Sequence, residues 1–202
     1  MTATKSMLYY ALAIIVLRGT SFVMLPIITS HVEVEQYGIL NILSSFTAIA
    51  SMVLTLGLGE AVYRFASTGS EQYQQRVFSW CFTVSMIGCC LFGLVFLIFA
   101  DNFSTLFPLT VHEHQFRLVV LNLGFAAIST VPYAVWRLTG KAKHFAAYAV
   151  IHTLIQSALT VLLLKCGFGI DANLIAGATS SVLCGGWLLW KFRSLVSLKC
   201  FA

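Results

Sequence analysis

Residues 7–30 read MLYYALAIIVLRGTSFVMLPIITS, and Arg18 is the one charged side chain among these 24 residues. A helix needs about 20 apolar residues to cross roughly 30 Å of hydrocarbon, so this stretch is long enough to span a bilayer. The apolar run is too long for a cleaved secretory signal, and no small-residue cleavage site follows it before Glu33 and Glu35. It therefore predicts a transmembrane helix that carries an arginine near its middle.

The composition extends this prediction to the whole chain. Of its 202 residues, 59% are hydrophobic and 9% are charged, whereas an average soluble protein is about 25% charged. These few polar side chains cannot cover a water-soluble globule, and a disordered chain or a disulfide-rich secreted module is excluded too. The continuously apolar runs predict an all-α, polytopic membrane protein, a single six-helix bundle over residues 1–202 with helices at about 7–30, 38–60, 77–100, 117–137, 144–164 and 172–190.

The charges between these runs predict the orientation of the helices. The first and third loops, 31–37 and 101–116, contain acidic residues but neither Lys nor Arg. Eight of the twelve Lys and Arg residues lie in the even loops and the tail: Arg64, Arg76, Arg137, Lys141, Lys143, Lys191, Arg193 and Lys199. Lys165 is the only basic residue squarely in the fifth loop, and Arg117 lies at the start of the fourth helix. By the positive-inside rule both termini are cytoplasmic and the even loops face inward, which predicts a multi-pass membrane protein. The formal net charge of +5 is therefore explained by loop residues that set the orientation of the helices. It does not indicate a nucleic-acid partner, and none is expected.

Arg18 is the polar residue that most needs an explanation. A central arginine costs about 2.5 to 3.5 kcal/mol on insertion scales, so it is expected to avoid lipid. One interpretation is structural, in which Arg18 snorkels or pairs with an acid on a neighbouring helix. The other is functional, in which it faces a water-filled cavity and binds a phosphate-bearing ligand through its guanidinium fork. We favour the functional interpretation.

Glu60 and Arg64 form a second polar group, at the end of the second predicted helix. Their spacing of four, with the acid first, favours a helical ion pair. Alternatively, Arg64 joins Arg18 and Arg76 in a basic entrance that draws an anionic lipid headgroup from the membrane.

Other polar or helix-breaking residues lie inside the apolar runs. Asn122, Gln156 and Thr160 either line a cavity or form hydrogen bonds between helices. Pro26 and Pro132 each remove a backbone donor and predict kinks. The candidate substrate-binding residues are Arg18, Arg64 and Asn122.

Patterns typical of catalysis or cofactor binding are missing from the sequence. It contains neither a Walker A phosphate loop nor a GxGxxG segment, and its loops are too short to hold a soluble catalytic domain. His112-Glu113-His114 lacks the spacing of a hydrolytic metal site and is interpreted as a solvated loop. We therefore expect a protein that is not an enzyme, with no cofactor and no metal.

Two segments resemble a known family. Residues 17–65, LRGTSFVMLPIITSHVEVEQYGILNILSSFTAIASMVLTLGLGEAVYRF, are similar to the first two helices of the bacterial oligosaccharide-lipid flippases. These belong to the multidrug, oligosaccharidyl-lipid and polysaccharide exporter superfamily. The likeness rests on Arg18, Gln36-Tyr37-Gly38, Leu56-Gly57-Leu58 and Arg64-Phe65. Residues 132–150, PYAVWRLTGKAKHFAAYAV, resemble the family's turn between helices four and five through Arg137, Gly140 and Lys141.

The resemblance implies a transporter that moves an undecaprenyl-diphosphate-linked oligosaccharide, an O-antigen or capsule/exopolysaccharide repeat unit, across the inner membrane. Arg18 and Arg64 would then meet the diphosphate, so the expected partners are this lipid-linked oligosaccharide and membrane lipids. The cation-coupled drug antiporters of the superfamily typically carry an acid in helix one, where this sequence has Arg18. A drug antiporter lobe and a non-transporting membrane scaffold remain alternatives.

The length departs from the family's pattern. Members have twelve or fourteen helices in two lobes, and alternating access moves one lobe against the other. The chain corresponds to the amino-terminal lobe, which leaves a truncated inactive fragment, half of a split transporter with a second six-helix lobe, or a homodimer. Truncation is the explanation we favour from the sequence.

Overall fold

The computed structural model describes residues 3–55, 57–66, 70–98 and 111–193. Within these ranges the chain is helical and forms no β-strand, which confirms the predicted all-α class. The described residues contain six helical segments that are long and apolar enough to cross a membrane. The helices are α1 Ala3–His31, α2 Val34–Thr55, α3 Leu58–Ala66, α4 Glu71–Ile98, α5 Glu113–Ile128, α6 Thr130–Leu138, α7 Ala142–Lys165 and α8 Asp171–Phe192.

Two of the six spans are each made of two helices. The second span joins α2 to α3, and Gly57 between them has φ +66°, a left-handed conformation that favours glycine. The fourth span joins α5 to α6, with Ser129 between them. Pro132 explains this break. A proline has no N–H group to form the helical hydrogen bond to the carbonyl four residues earlier, which here belongs to Ile128, the last residue of α5. The first span differs, since α1 continues through Pro26 as one helix.

Some helices begin earlier than their hydropathy predicts. The third span was expected at residue 77, but α4 starts at Glu71, and α5 starts at Glu113 rather than at 117. The polar first turns of both helices extend beyond the apolar run, because hydropathy measures the membrane-embedded length and not the length of the helix. The loop interpretation of His112-Glu113-His114 is therefore wrong for Glu113 and His114. Asp101 and Lys199 lie outside the described residues.

The packing of the bundle centres on α8. This helix lies between α5 and α7, while α1 packs along α7 and both α2 and α4 pack against α5. The short helix α3 contacts α4 and α6. Phe82, Phe116, Leu123 and Leu188 are among the largest fully buried side chains, so the core lies between α4, α5 and α8. The helix α1 is left at the edge of the bundle.

The two ends of the bundle carry opposite charges, and we name them accordingly. At the basic end, Tyr10 of α1 contacts Phe145 with ring centroids 5.5 Å apart, and Trp136 contacts Phe192 at 5.7 Å. The start of α1, the turn between α6 and α7 and the end of α8 therefore lie together. At the acidic end, Gln115 Nε2 donates a hydrogen bond to Asp171 Oδ1 at 2.8 Å. The assignment of the basic end to the cytoplasm stays a prediction.

Candidate functional site

Arg18 lines a cavity between α1 and α7 that we call the basic cavity. Its volume is about 460 Å³, and it is bordered by one face of α1, the end of α6 and the first turns of α7. The lining residues are Tyr10, Ala13, Ile14, Leu17, Arg18, Ser21, Arg137, Phe145 and Ala149. Arg18 therefore lies at a cavity wall with an exposed side chain, and its predicted role in binding stays a prediction.

Arg137 is the second cation of the basic cavity. The break at Ser129 and the turn after α6 bring this residue back against α1, where it lines the basic cavity together with Tyr10. Its Cζ atom lies 4.5 Å from the centroid of the Phe145 ring. An aromatic face attracts a guanidinium without neutralising its charge, so Arg137 is held in place and remains cationic.

Neither arginine of the basic cavity has an acidic partner among the described residues. The two ion pairs found there are Arg117 with Glu113 and His114 with Asp171, and both lie at the acidic end. One half of the structural interpretation of Arg18, its pairing with an acid on a neighbouring helix, is therefore wrong for the part of the chain that the structure describes. The other half, in which the exposed Arg18 side chain snorkels, stays a prediction. Two unpaired guanidinium groups in one cavity can bind a multivalent anion such as a diphosphate.

A second cavity, the polar cavity, lies between α1, α2, α7 and the start of α8. Its volume is about 290 Å³. Hydroxyl and amide groups account for most of its polar lining: Thr20, Ser21, Tyr37, Asn41, Ser44, Thr153, Gln156, Ser157, Thr160 and Asn173. No carboxylate lies among its lining residues.

Several groups of the polar cavity have hydrogen-bonding capacity to spare. The side-chain amides of Asn41, Gln156 and Asn173 form no hydrogen bond to any residue that the structure describes. Thr20 and Ser21 donate to the carbonyl oxygens one turn earlier in α1, at 2.7 and 3.1 Å, which leaves their own oxygens free as acceptors. A wall of uncharged donors and acceptors suits a polyhydroxylated ligand.

The two cavities are adjacent, because Ser21 lines both of them. The basic cavity lies toward the basic end, where α1 begins, and the polar cavity lies toward the acidic end, where α8 begins. An amphiphile with an anionic group followed by a neutral polar group would match this order of linings.

The structure places Arg64 and Glu60 away from both cavities. Each lies on α3 with an exposed side chain, and neither lines the basic or the polar cavity. The two side chains form no ion pair in the described part of the chain, so the expected i, i+4 salt bridge is wrong. The predicted role of Arg64 in binding stays a prediction.

Asn122 lies at the contact between α5 and α8. Its Oδ1 atom accepts a hydrogen bond of 2.6 Å from the Ser181 hydroxyl, and its Nδ2 atom lies 3.0 Å from where a Cβ on Gly177 would sit. The residue is outside the lining of both cavities. Of the two alternatives, it forms the hydrogen bond between helices, and its predicted role in binding stays untested. Gln156 and Thr160 instead line the polar cavity.

Sequence reasoning did not place Arg137 beside Arg18 in the basic cavity. In the sequence it belongs to the basic residues of the fourth loop, and charge patterning treats such residues as determinants of orientation. Arg137 comes close to Arg18 because of the turn that follows α6, and the hydropathy of the sequence does not predict this turn. The available signal was Pro132, which marks the break in the fourth span.

The fold and cavities define a polytopic helical membrane protein with an open polar site along α1 that is partly cationic. The family model described as polysaccharide biosynthesis protein matches residues 3–192, so the chain belongs to that family. Comparisons with curated proteins and with solved structures found no match. Family membership confirms the resemblance inferred from the sequence and places this membrane protein in polysaccharide biosynthesis.

Proposed function

We propose that the chain translocates an undecaprenyl-diphosphate-linked oligosaccharide across the inner membrane. The cargo is a repeat unit of O-antigen, capsule or exopolysaccharide. Arg18 and Arg137 bind the diphosphate in the basic cavity, and the sugars bind in the polar cavity. The observation that carries the proposal is the meeting of these two arginines in one cavity with no acidic partner in the described chain.

The adjacent linings support this assignment. A diphosphate carries negative charge and several oxygen acceptors, which guanidinium groups match in geometry and charge. A sugar is neutral and rich in hydroxyls, and it suits the free amides of Asn41, Gln156 and Asn173. Because Ser21 lines both cavities, one molecule can occupy them together.

We further propose that Arg64 steers the headgroup rather than binding it in the cavity. Its exposed position on α3 supports a long-range electrostatic role at the basic end. Alternating access moves one lobe against another around the binding site, and this chain corresponds to one lobe. The proposed partner is therefore a second six-helix lobe or a second copy of the chain.

The lining favours an anionic cargo over a cationic drug. A cation-coupled antiporter needs a protonatable acid in its cavity, but no carboxylate lines either of the two cavities. Glu60 is the acid that the sequence offers for such a role, but its side chain is exposed on α3, outside both cavities. A non-transporting scaffold remains the alternative that needs a functional test.

The test replaces each cavity arginine in a strain that lacks the native gene and carries the variant on a plasmid. Arg18→Ala and Arg137→Ala are expected to abolish surface polysaccharide and to accumulate lipid-linked oligosaccharide in the membrane. Arg18→Lys keeps the charge but loses the fork, and is expected to export at an intermediate level. Membrane insertion, measured by immunoblot of membrane fractions, is expected to stay at the wild-type level.

Arg76→Ala is the matched control, because Arg76 is an exposed cation of the basic end outside both cavities. It is expected to export normally. Wild-type export by Arg18→Ala would contradict the proposal. If deletion of the chain stops export while neither cavity arginine matters, the scaffold function replaces it.

A further inference from the structure

A third concave surface lies on the far side of α7 from the two cavities. This aromatic groove has a volume of about 390 Å³ and is formed by α6, α7 and α8 at the basic end. On α7 it uses a face about half a turn away from the one that lines the cavities. Its lining residues are Trp136, His144, Ala147, Tyr148, Ile151, Ile155, Leu183, Cys184, Trp187 and Lys191.

Lys191 stands at the mouth of the aromatic groove. Its Nζ atom lies 4.5 Å from the centroid of the Trp187 ring and 5.3 Å from that of Trp136. No acidic side chain of the described residues forms an ion pair with it. The two rings orient the ammonium group, and its positive charge is left for an external anion.

The groove becomes apolar with distance from Lys191. Leu183 lies eight residues before Lys191 in α8, which places it about 12 Å deeper along the helix. Ile151 and Ile155 line the same deeper part from α7. The order of cation, indole rings and aliphatic side chains matches the order of phosphate, glycerol region and acyl chain in one leaflet.

The surrounding charge favours an anionic occupant. The basic end carries more cations than acids: Glu60 and Glu71 are outnumbered by Arg64, Arg76, Arg137, Lys141, Lys143, Lys191 and Arg193. Basic pockets between transmembrane helices are known to bind anionic lipid headgroups.

We propose that the aromatic groove binds one anionic phospholipid of the bilayer. Lys191 binds the phosphate at the mouth, and the acyl chain lies against Leu183, Ile151 and Ile155. This site lies on another face of α7 and does not depend on the transport function.

The test is tryptophan quenching by brominated lipids in reconstituted vesicles. Trp80→Phe and Trp190→Phe leave Trp136 and Trp187, both in the groove, as the fluorophores. Vesicles of phosphatidylcholine contain a small fraction of brominated phosphatidylglycerol or of brominated phosphatidylcholine. We expect phosphatidylglycerol to bind about five-fold more tightly, the factor typical of one basic residue near an anionic lipid surface.

Lys191→Gln is expected to remove this selectivity, whereas Arg193→Gln is the matched control. In the wild type Arg193 lies over the ring of Trp190 at 5.7 Å, and Trp190→Phe keeps an aromatic side chain at that position; neither Arg193 nor Trp190 lines the groove. Ala147→Phe fills the groove without changing its charge and is expected to reduce quenching by both lipids. Equal quenching by the two lipids would overturn the proposal, as would an equal loss of selectivity in the Lys191 and Arg193 variants.

Discussion

The seam between α5 and α8 is closely packed, whereas α1 lies open along α7. In their most apolar windows, 56% of the residues of the fourth and sixth spans are buried, against 6% in the first span. Gly177 and Gly185 in the seam have side-chain atoms of the facing helix 3.0 Å from where a Cβ would be, but Gly19 of α1 has nothing within 4 Å. The seam stabilises the fold, and α1 supplies cavity wall.

This division explains why the two cavities lie against α1. A helix that is packed on all sides buries its polar groups in bonds to neighbours, as Asn122 does with Ser181. The side chains of Arg18, Thr20 and Ser21 form no such bonds to the neighbouring helices that the structure describes, because α1 packs mainly along one helix, α7. Their polar groups are thereby available to a ligand.

The largest effect is expected from Gly185→Leu, which places a bulky side chain in the seam. The new Cβ alone would meet Phe125 at 3.0 to 3.2 Å, including its backbone oxygen. Overpacking of this kind costs about 3 kcal/mol. The measurement is reversible unfolding of the purified chain in mixed detergent micelles.

Gly186→Leu is the matched control, because it makes the same change one residue later at a position with nothing within 4 Å. It is expected to unfold like the wild type. Equal destabilisation of the two variants would show that the seam is no tighter than its surroundings.

A second pair of variants compares two asparagines. Asn122→Ala breaks the 2.6 Å bond with Ser181 and is expected to lower stability by about 1 kcal/mol, with export retained. Asn41→Ala removes a cavity amide that has no hydrogen bond in the described chain, so it is expected to lower export and leave stability unchanged. Unfolding and surface polysaccharide are measured for both. Lost export with normal stability in Asn122→Ala would instead support its predicted role in binding.

The sequence predicts the spans well because the bilayer imposes one rule on every helix: about 20 apolar residues must be continuous. The need of Arg18 for a polar environment is also predictable, since a charge inside an apolar run is costly in lipid. Arg137 is not, because its proximity to Arg18 arises from a turn and from the packing of α1 on α7. The Glu60–Arg64 pair fails for a related reason, since helical spacing permits an ion pair without requiring one in water.

A smaller effect is expected where the seam reaches the acidic end. There Asp171 of α8 accepts hydrogen bonds from Gln115 and, at 3.1 Å, from His114 of α5. Asp171→Asn keeps an oxygen for Gln115 but loses the charge that faces His114. Because His114 is largely exposed, the expected loss is about 0.5 kcal/mol and diminishes in high salt. A loss of stability as large as that of Gly185→Leu would mean that the polar contacts at the acidic end, rather than the close packing, stabilise the seam.

The smallest effect is expected for Gly19→Ala on α1. A methyl group at this position has nothing within 4 Å, and surface substitutions of this kind change stability by about 0.5 kcal/mol or less. The purified chain is therefore expected to unfold like the wild type. Export adds a second measurement, because Gly19 adjoins Arg18 and Thr20 on the open helix. Normal stability with normal export means that this face stays uncovered during transport. Normal stability with lost export means that a second lobe or a second copy approaches α1 closely at Gly19, and a destabilised chain would contradict the open position of α1 itself.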